Sequence, residues 1–112
     1  MKYLIVIFFT FISQNALAEC SGVDCKNVKL EMLYVQGSNS YIQTSGTETL
    51  LDNCVPLGGN LISLDHSHSA ADKIYALLLT AYTSKLNVKI RTNDTTNNTG
   101  SCSIAYAVLE NN

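Results

Sequence analysis

Apolar and polar positions along this chain separate into one helical stretch and several short alternating ones. In residues 69–86, SAADKIYALLLTAYTSKL, positions Ala70, Ile74, Leu77, Leu78 and Ala81 share one stripe at about 100° per residue, which predicts a core-facing helix. Ser69 followed by Asp72 resembles a capping box, and Asp72 also meets the positive end of the helix dipole. Lys85 suits the other end, and Asn87 reads as the stop. Ala71, Tyr75, Leu79 and Tyr82 widen the apolar arc to roughly 200°, about twice what one sheet covers. The surplus predicts a second cover for Tyr75, Leu79 and Tyr82, such as a neighbouring copy of the chain.

The remaining pattern is that of strands and turns. Residues 28–36, VKLEMLYVQ, place Val28, Leu30, Met32 and Tyr34 on one face of a strand. A loop at 37–40 and a return strand at 41–44 complete a hairpin, and 45–47 turn again. Residues 49–55 read as a third short strand carrying Cys54, residues 56–60 as irregular, and 61–64 as a short run toward the helix. After the helix, 88–92 alternate with Val88 and Ile90 inward and Lys89 and Arg91 outward. Residues 93–101, NDTTNNTGS, form a polar loop with N-x-T sequons at Asn93 and Asn97. The last strand, 102–109, carries Cys102, Ile104, Tyr106 and Val108 on one face and the small Ser103, Ala105 and Ala107 on the other. This order predicts a mainly β domain with one α-helix (α+β). The arrangement expected is a small OB-like Greek-key barrel whose helix, 69–86, lies between the third and fourth main strands.

The first residues change the cellular setting. A positive start at Lys2, an apolar run to Ile12 and Ala16-Leu17-Ala18 make a signal peptide over 1–18, too short for a membrane span. Glu19 stands where a lipid-attachment motif before Cys20 needs a small residue, so cleavage without lipidation is expected. Residues 19–112 then form a single exported domain, secreted or periplasmic, with no membrane span after cleavage. Loss of Lys2 leaves six basic against nine acidic residues, a balance that argues against nucleic acid.

An even number of cysteines in a small exported chain reads as a disulfide framework. The favoured pairs are Cys20 with Cys25 and Cys54 with Cys102. No C-x-x-C occurs and no thiol is left over for redox chemistry.

Asp65-His66-Ser67-His68 is the stretch that most resembles chemistry. Extended, it puts both imidazoles on one face, yet spacing identifies no third metal ligand. A polar linker into the helix weighs more than a metal site, and more still than a Ser-His-Asp triad between adjacent residues. Lys85, Lys89 and Arg91 read as a solvated basic face. Tyr34, Tyr41, Tyr75, Tyr82 and Tyr106 read mostly as core or interface, with a sugar-stacking platform as the sharper alternative. No catalytic residue, metal or cofactor is assigned.

From the helix onward the chain resembles the B subunits of the pentameric bacterial enterotoxins, of the cholera toxin and heat-labile enterotoxin type. The similarity lies in Ala81-Tyr82-Thr83, the strand start Val88-Lys89, the polar Asn93-Asp94-Thr95 loop and Ile104 to Ala107. It implies an OB-like fold, a homo-oligomeric ring, a companion subunit and a cell-surface glycan as ligand, with Asn93 and Asp94 as sugar contacts. The family's sugar-stacking tryptophan has no counterpart, since the chain contains no Trp. The family's disulfide, which reaches the strand after the helix, has none either. The expectation is a secreted, non-enzymatic binding module. A monomeric structural or inhibitor-type envelope protein is the first alternative, and a metal or hydrolytic protein using His66 and His68 the second.

Overall fold

The computed structural model describes residues 17–93 and 100–111. The expected leader therefore lies almost wholly outside the described residues, as do Asp94 and the second sequon. The described chain is mainly β with one α-helix, in two antiparallel sheets. Its elements are β1 (Glu19–Ser21), β2 (Asp24–Val28), β3 (Leu30–Gln36), β4 (Asn39–Thr44), β5 (Ile62–Asp65), α1 (Ala71–Ser84), β6 (Val88–Thr92) and β7 (Ile104–Leu109). One sheet has the order β1-β2-β6-β7 and the other β3-β4-β5.

The sheets are joined at both ends. Lys29 alone separates β2 from β3, so the chain passes directly from one sheet into the other. At the opposite side, Ser63 in β5 makes an isolated parallel bridge to Ser103, just before β7. The Ser63 N–H and hydroxyl both donate to the Cys102 carbonyl, at 2.9 and 3.1 Å. Between the sheets and under α1 lies an aliphatic core of Val28, Ile42, Ile62, Leu64, Leu78, Val88, Ile90 and Ile104, each fully buried. Burying each such side chain contributes about 1.5–3 kcal/mol relative to exposure.

Both expected disulfides form, Cys20–Cys25 and Cys54–Cys102, and all four cysteines are buried. The first closes the β1–β2 hairpin, which sequence reading missed: these strands are too short for a visible alternation, and the cystine with the Cys20↔Cys25 pairing sets their register. Gly46 packs against it, where a Cβ would come 2.8 Å from Cys20 Sγ.

Several expectations are corrected. Residues 49–55 form no strand. Instead Glu48 to Leu50 make a 3-10 turn, because the buried Glu48 carboxylate turns back to accept from the Thr44 N–H at 2.7 Å and the Thr44 hydroxyl at 2.8 Å. The backbone beyond it scatters its bonds, with Asp52 N–H donating to Gly22 and Val55 N–H to Gly100. Strand 28–36 does not keep one inward face, since the ladder with β4 shifts between Leu30 and Met32. That bulge turns Met32 outward to 41 % exposure and Leu33 toward the core. A second shift, where Thr92 pairs with Ile104 but Arg91 with Tyr106, leaves Tyr106 and Val108 exposed and packs Ala107 inward. The strand itself begins at Ile104, not Cys102.

The helix is shorter than 69–86, running from Ala71 to Ser84. Ser69 is not its cap. Ala70 occupies that position without a side-chain cap bond, while His68 serves the entry: its Nδ1 accepts from Ala70 N–H at 2.9 Å and its carbonyl from Ala71 N–H at 3.0 Å. At the far end Lys85 takes the left-handed conformation, φ 54°, and its N–H closes on the Ala81 carbonyl, ending the helix two residues before Asn87 can act. Ile74, Leu78 and Ala81 are buried as the periodicity predicts.

Candidate functional site

The outward face of β3-β4-β5 gathers the residues most suited to contact a ligand. Period-2 alternation in β4, NSYIQT, sends Ser40, Ile42 and Thr44 into the core and leaves Asn39, Tyr41 and Gln43 outside. Pairing then aligns Tyr34, Tyr41 and Ser63 across the sheet, and beside them Gln36, Asn39 and Asp65. The Tyr34 and Tyr41 rings stack with centroids 5.1 Å apart and planes 26° from parallel. They form a rigid apolar surface with a polar row alongside.

A wall rises next to this face. Val55 bridges to Ser101, Leu57 pairs with Leu61, and Cys54–Cys102 locks the two segments together. The result is a hollow of about 420 Å³ lined by Asn39, Tyr41, Leu57, Ser63, Asp65, Ser101 and Ser103. That volume lies within the range of small-ligand pockets.

Asp65 is the charged group of the hollow. It is exposed, and its Oδ1 accepts from the Ser67 N–H at 2.9 Å and the Ser67 hydroxyl at 2.8 Å. The Ser67 backbone bond, then the hydroxyl bond, with smaller help from His66 and His68, hold its pKa below the ordinary carboxylate value. Asp65 therefore stands as an ionised acceptor.

The expected sugar contact Asn93 borders this wall. Its Nδ2 donates to the Ser103 hydroxyl at 3.0 Å and the Ile104 carbonyl at 3.4 Å, and its N–H to the Ser103 carbonyl at 2.9 Å. Asn93 thus positions Ser103. Asp94 lies outside the described residues.

His66 and His68 reach different partners. His66 Nε2 lies 2.7 Å from the hydroxyl of the fully buried Ser40. His68 Nδ1 accepts from Ala70, so its Nε2 carries the proton and donates to the Ala105 carbonyl at 2.9 Å. Both nitrogens of His68 are occupied in holding the helix entry against β7. Among the described residues no group of three or more His, Cys, Asp or Glu side chains is placed to hold a metal. A second hollow, about 330 Å³, lies between His66, Ser40, Val35, Ala71, Asp72 and Tyr75.

The helix flank divides as well. Tyr75 is half-buried against the core, whereas Leu79 and Tyr82 are 43 % and 41 % exposed. Of the basic residues, Lys85 ends the helix, while Lys89 and Arg91 share the outward face of β6, where Lys89 Nζ lies 3.7 Å from Asp24 and Arg91 stands in register with Asp24 and Tyr106. Sequence reading missed the Tyr41–Asp65 face because its residues come from three separated segments. The signals available were the outward alternation Asn39, Tyr41, Gln43 and the tyrosines weighed as a sugar-stacking platform, Tyr34 and Tyr41 among them.

Among the described residues no helix is long and apolar enough to cross a membrane. Comparison with protein-family models finds no match to the chain, and no curated protein matches it.

Proposed function

We propose that this chain is an exported, non-enzymatic binding module of OB-like fold that recognises a glycan on the outward face of β3-β4-β5. The observation that carries this reading is the Tyr34–Tyr41 stack beside a hollow whose polar groups are an amide, three serine hydroxyls, the Tyr41 hydroxyl and a carboxylate. Aromatic faces take the C–H faces of sugars, and such polar groups take their hydroxyls.

The OB-like assignment is supported by the strand circuit. With β2 and β3 counted as one bent strand, pairings run from β3 to β4, β4 to β5, β5 to β7 through Ser63↔Ser103, β7 to β6 and β6 back to β2. The helix sits between β5 and β6, and in OB folds the sheet face corresponding to β4 and β5 is a common binding surface.

Self-association through α1 belongs to the same proposal. Leu79 and Tyr82 leave apolar surface open along the helix, and β3 and β7 are edge strands able to pair with a neighbour. A ring displaying several copies of a weak sugar site would gain avidity without new contacts.

A glycan array probed with the oxidised protein tests the binding reading, with Tyr41→Ala as control. Retention on defined glycans that Tyr41→Ala abolishes supports it; silence across the array sinks it. Sedimentation of Leu79→Asp against the parent tests assembly, and a parent that stays monomeric at high micromolar concentration removes the ring.

A further inference from the structure

We infer that the hollow beside Tyr41 selects uncharged saccharides and rejects those bearing a carboxylate or sulfate. The inference rests on the binding reading above and specifies the class of ligand its site would take.

The argument is an inventory of donors and acceptors. Asp65 contributes an acceptor carboxylate whose Oδ1 is already fixed by Ser67. Ser63 donates its proton to the Cys102 carbonyl and so turns lone pairs outward. The Ser103 oxygen accepts from Asn93, which leaves its proton for a ligand oxygen. Asn39 offers both functions. A ligand bearing several neutral hydroxyls, each donor and acceptor, can satisfy this mixed set.

No described cationic side chain lines the hollow. The basic residues Lys89 and Arg91 lie on the other sheet, where Lys89 faces Asp24. An anionic sugar would bring its charge toward Asp65 with no lysine or arginine among the lining residues to neutralise it and only the smaller influence of His66 and His68 nearby, and like-charge juxtaposition is a standard device of specificity. Tyr41 and Leu57 supply the apolar floor on which a sugar's C–H face would rest.

The test is an NMR titration of the ¹⁵N-labelled, oxidised protein. Lactose, maltose and mannobiose serve as neutral probes, and 3′-sialyllactose and a sulfated chondroitin disaccharide as anionic ones. The expected result is amide shifts at Tyr41, Ser63, Asp65 and Ser103 with at least one neutral probe, at an affinity about tenfold or more above either anionic probe. Asp65→Asn should bring the classes to within about twofold, with the anionic probes gaining affinity as the like charge is removed. Equal or tighter binding of an anionic probe at these amides overturns the inference and leaves the binding reading standing. Shifts confined to another surface, or a neutral probe that loses to an anionic one on the array, overturn it too. Silence in the titration and on the array together removes both.

Discussion

The hydroxyl of Ser40, fully buried in the middle strand of its sheet, lies 2.7 Å from Nε2 of His66 in the exposed segment leading to the helix. The bond satisfies a buried polar atom and ties the linker to the sheet. Removing the imidazole should leave the hydroxyl short of a partner, so His66→Ala is expected to cost about 1–2 kcal/mol in urea unfolding. Adding Ser40→Ala should recover part of that loss. Strictly additive effects in the double-mutant cycle would show that the two groups are not coupled.

At the helix entry the roles of neighbouring residues are reversed from those the sequence predicts. Ser69→Ala should change stability by less than about 0.5 kcal/mol, since its hydroxyl caps nothing. His68→Ala should cost about 2 kcal/mol, because it strips bonds from both Ala70 N–H and the Ala105 carbonyl. Equal losses from the two variants, measured by denaturant unfolding, would refute this assignment.

How far the fold was legible follows from such cases. The helix body, β6 and the β3–β4 hairpin could be read from periodicity and turn residues, and the number of cystines, with a favoured but not deduced pairing, from cysteine arithmetic. What could not be read depends on contacts distant in sequence. Glu48 ends an apparent strand by binding back to Thr44, and His68 displaces Ser69 because Ala105 is there to receive its other nitrogen. Single-residue bulges near Leu30 and Ala105 reverse the faces of Met32, Tyr106 and Val108, and strict alternation cannot anticipate them. The candidate site was hidden for a related reason. Tyr41, Asp65 and Ser103 meet only once three segments are paired.

Asp65 offers a direct titration. Its folded pKa lies below the ordinary 3.8, so its ionised form contributes stability that is fully present above that value and fades as pH falls through the lower folded one. Ser67→Ala removes the hydroxyl bond but keeps the backbone N–H that is the larger cause, so it should raise the Asp65 pKa only part of the way toward the ordinary value. Carboxyl-carbon NMR follows the change, and an unshifted midpoint would show that the Ser67 hydroxyl is not responsible.

The two cystines should differ in weight. Cys54 and Cys102 are separated by 48 positions and Cys20 and Cys25 by 5. On the chain-entropy account the long closure is worth about 4 kcal/mol and the short one about 2. Paired Cys→Ala variants, unfolded in urea, should reproduce that order. The reverse order would locate the stabilisation in native packing around Cys20 and Cys25 instead.

The Cys54–Cys102 cystine also ties the two halves of the hollow's wall covalently. Asn39, Tyr41, Ser63 and Asp65 belong to one paired sheet, but Leu57, Ser101 and Ser103 flank the cystine on either side. Without the cystine the tyrosine stack and the carboxylate would remain, and the facing wall would be held by hydrogen bonds alone, such as Val55 N–H to the Gly100 carbonyl and Ser63 to the Cys102 carbonyl. For the exported binding module proposed above, oxidation after export would add the covalent tie across this wall.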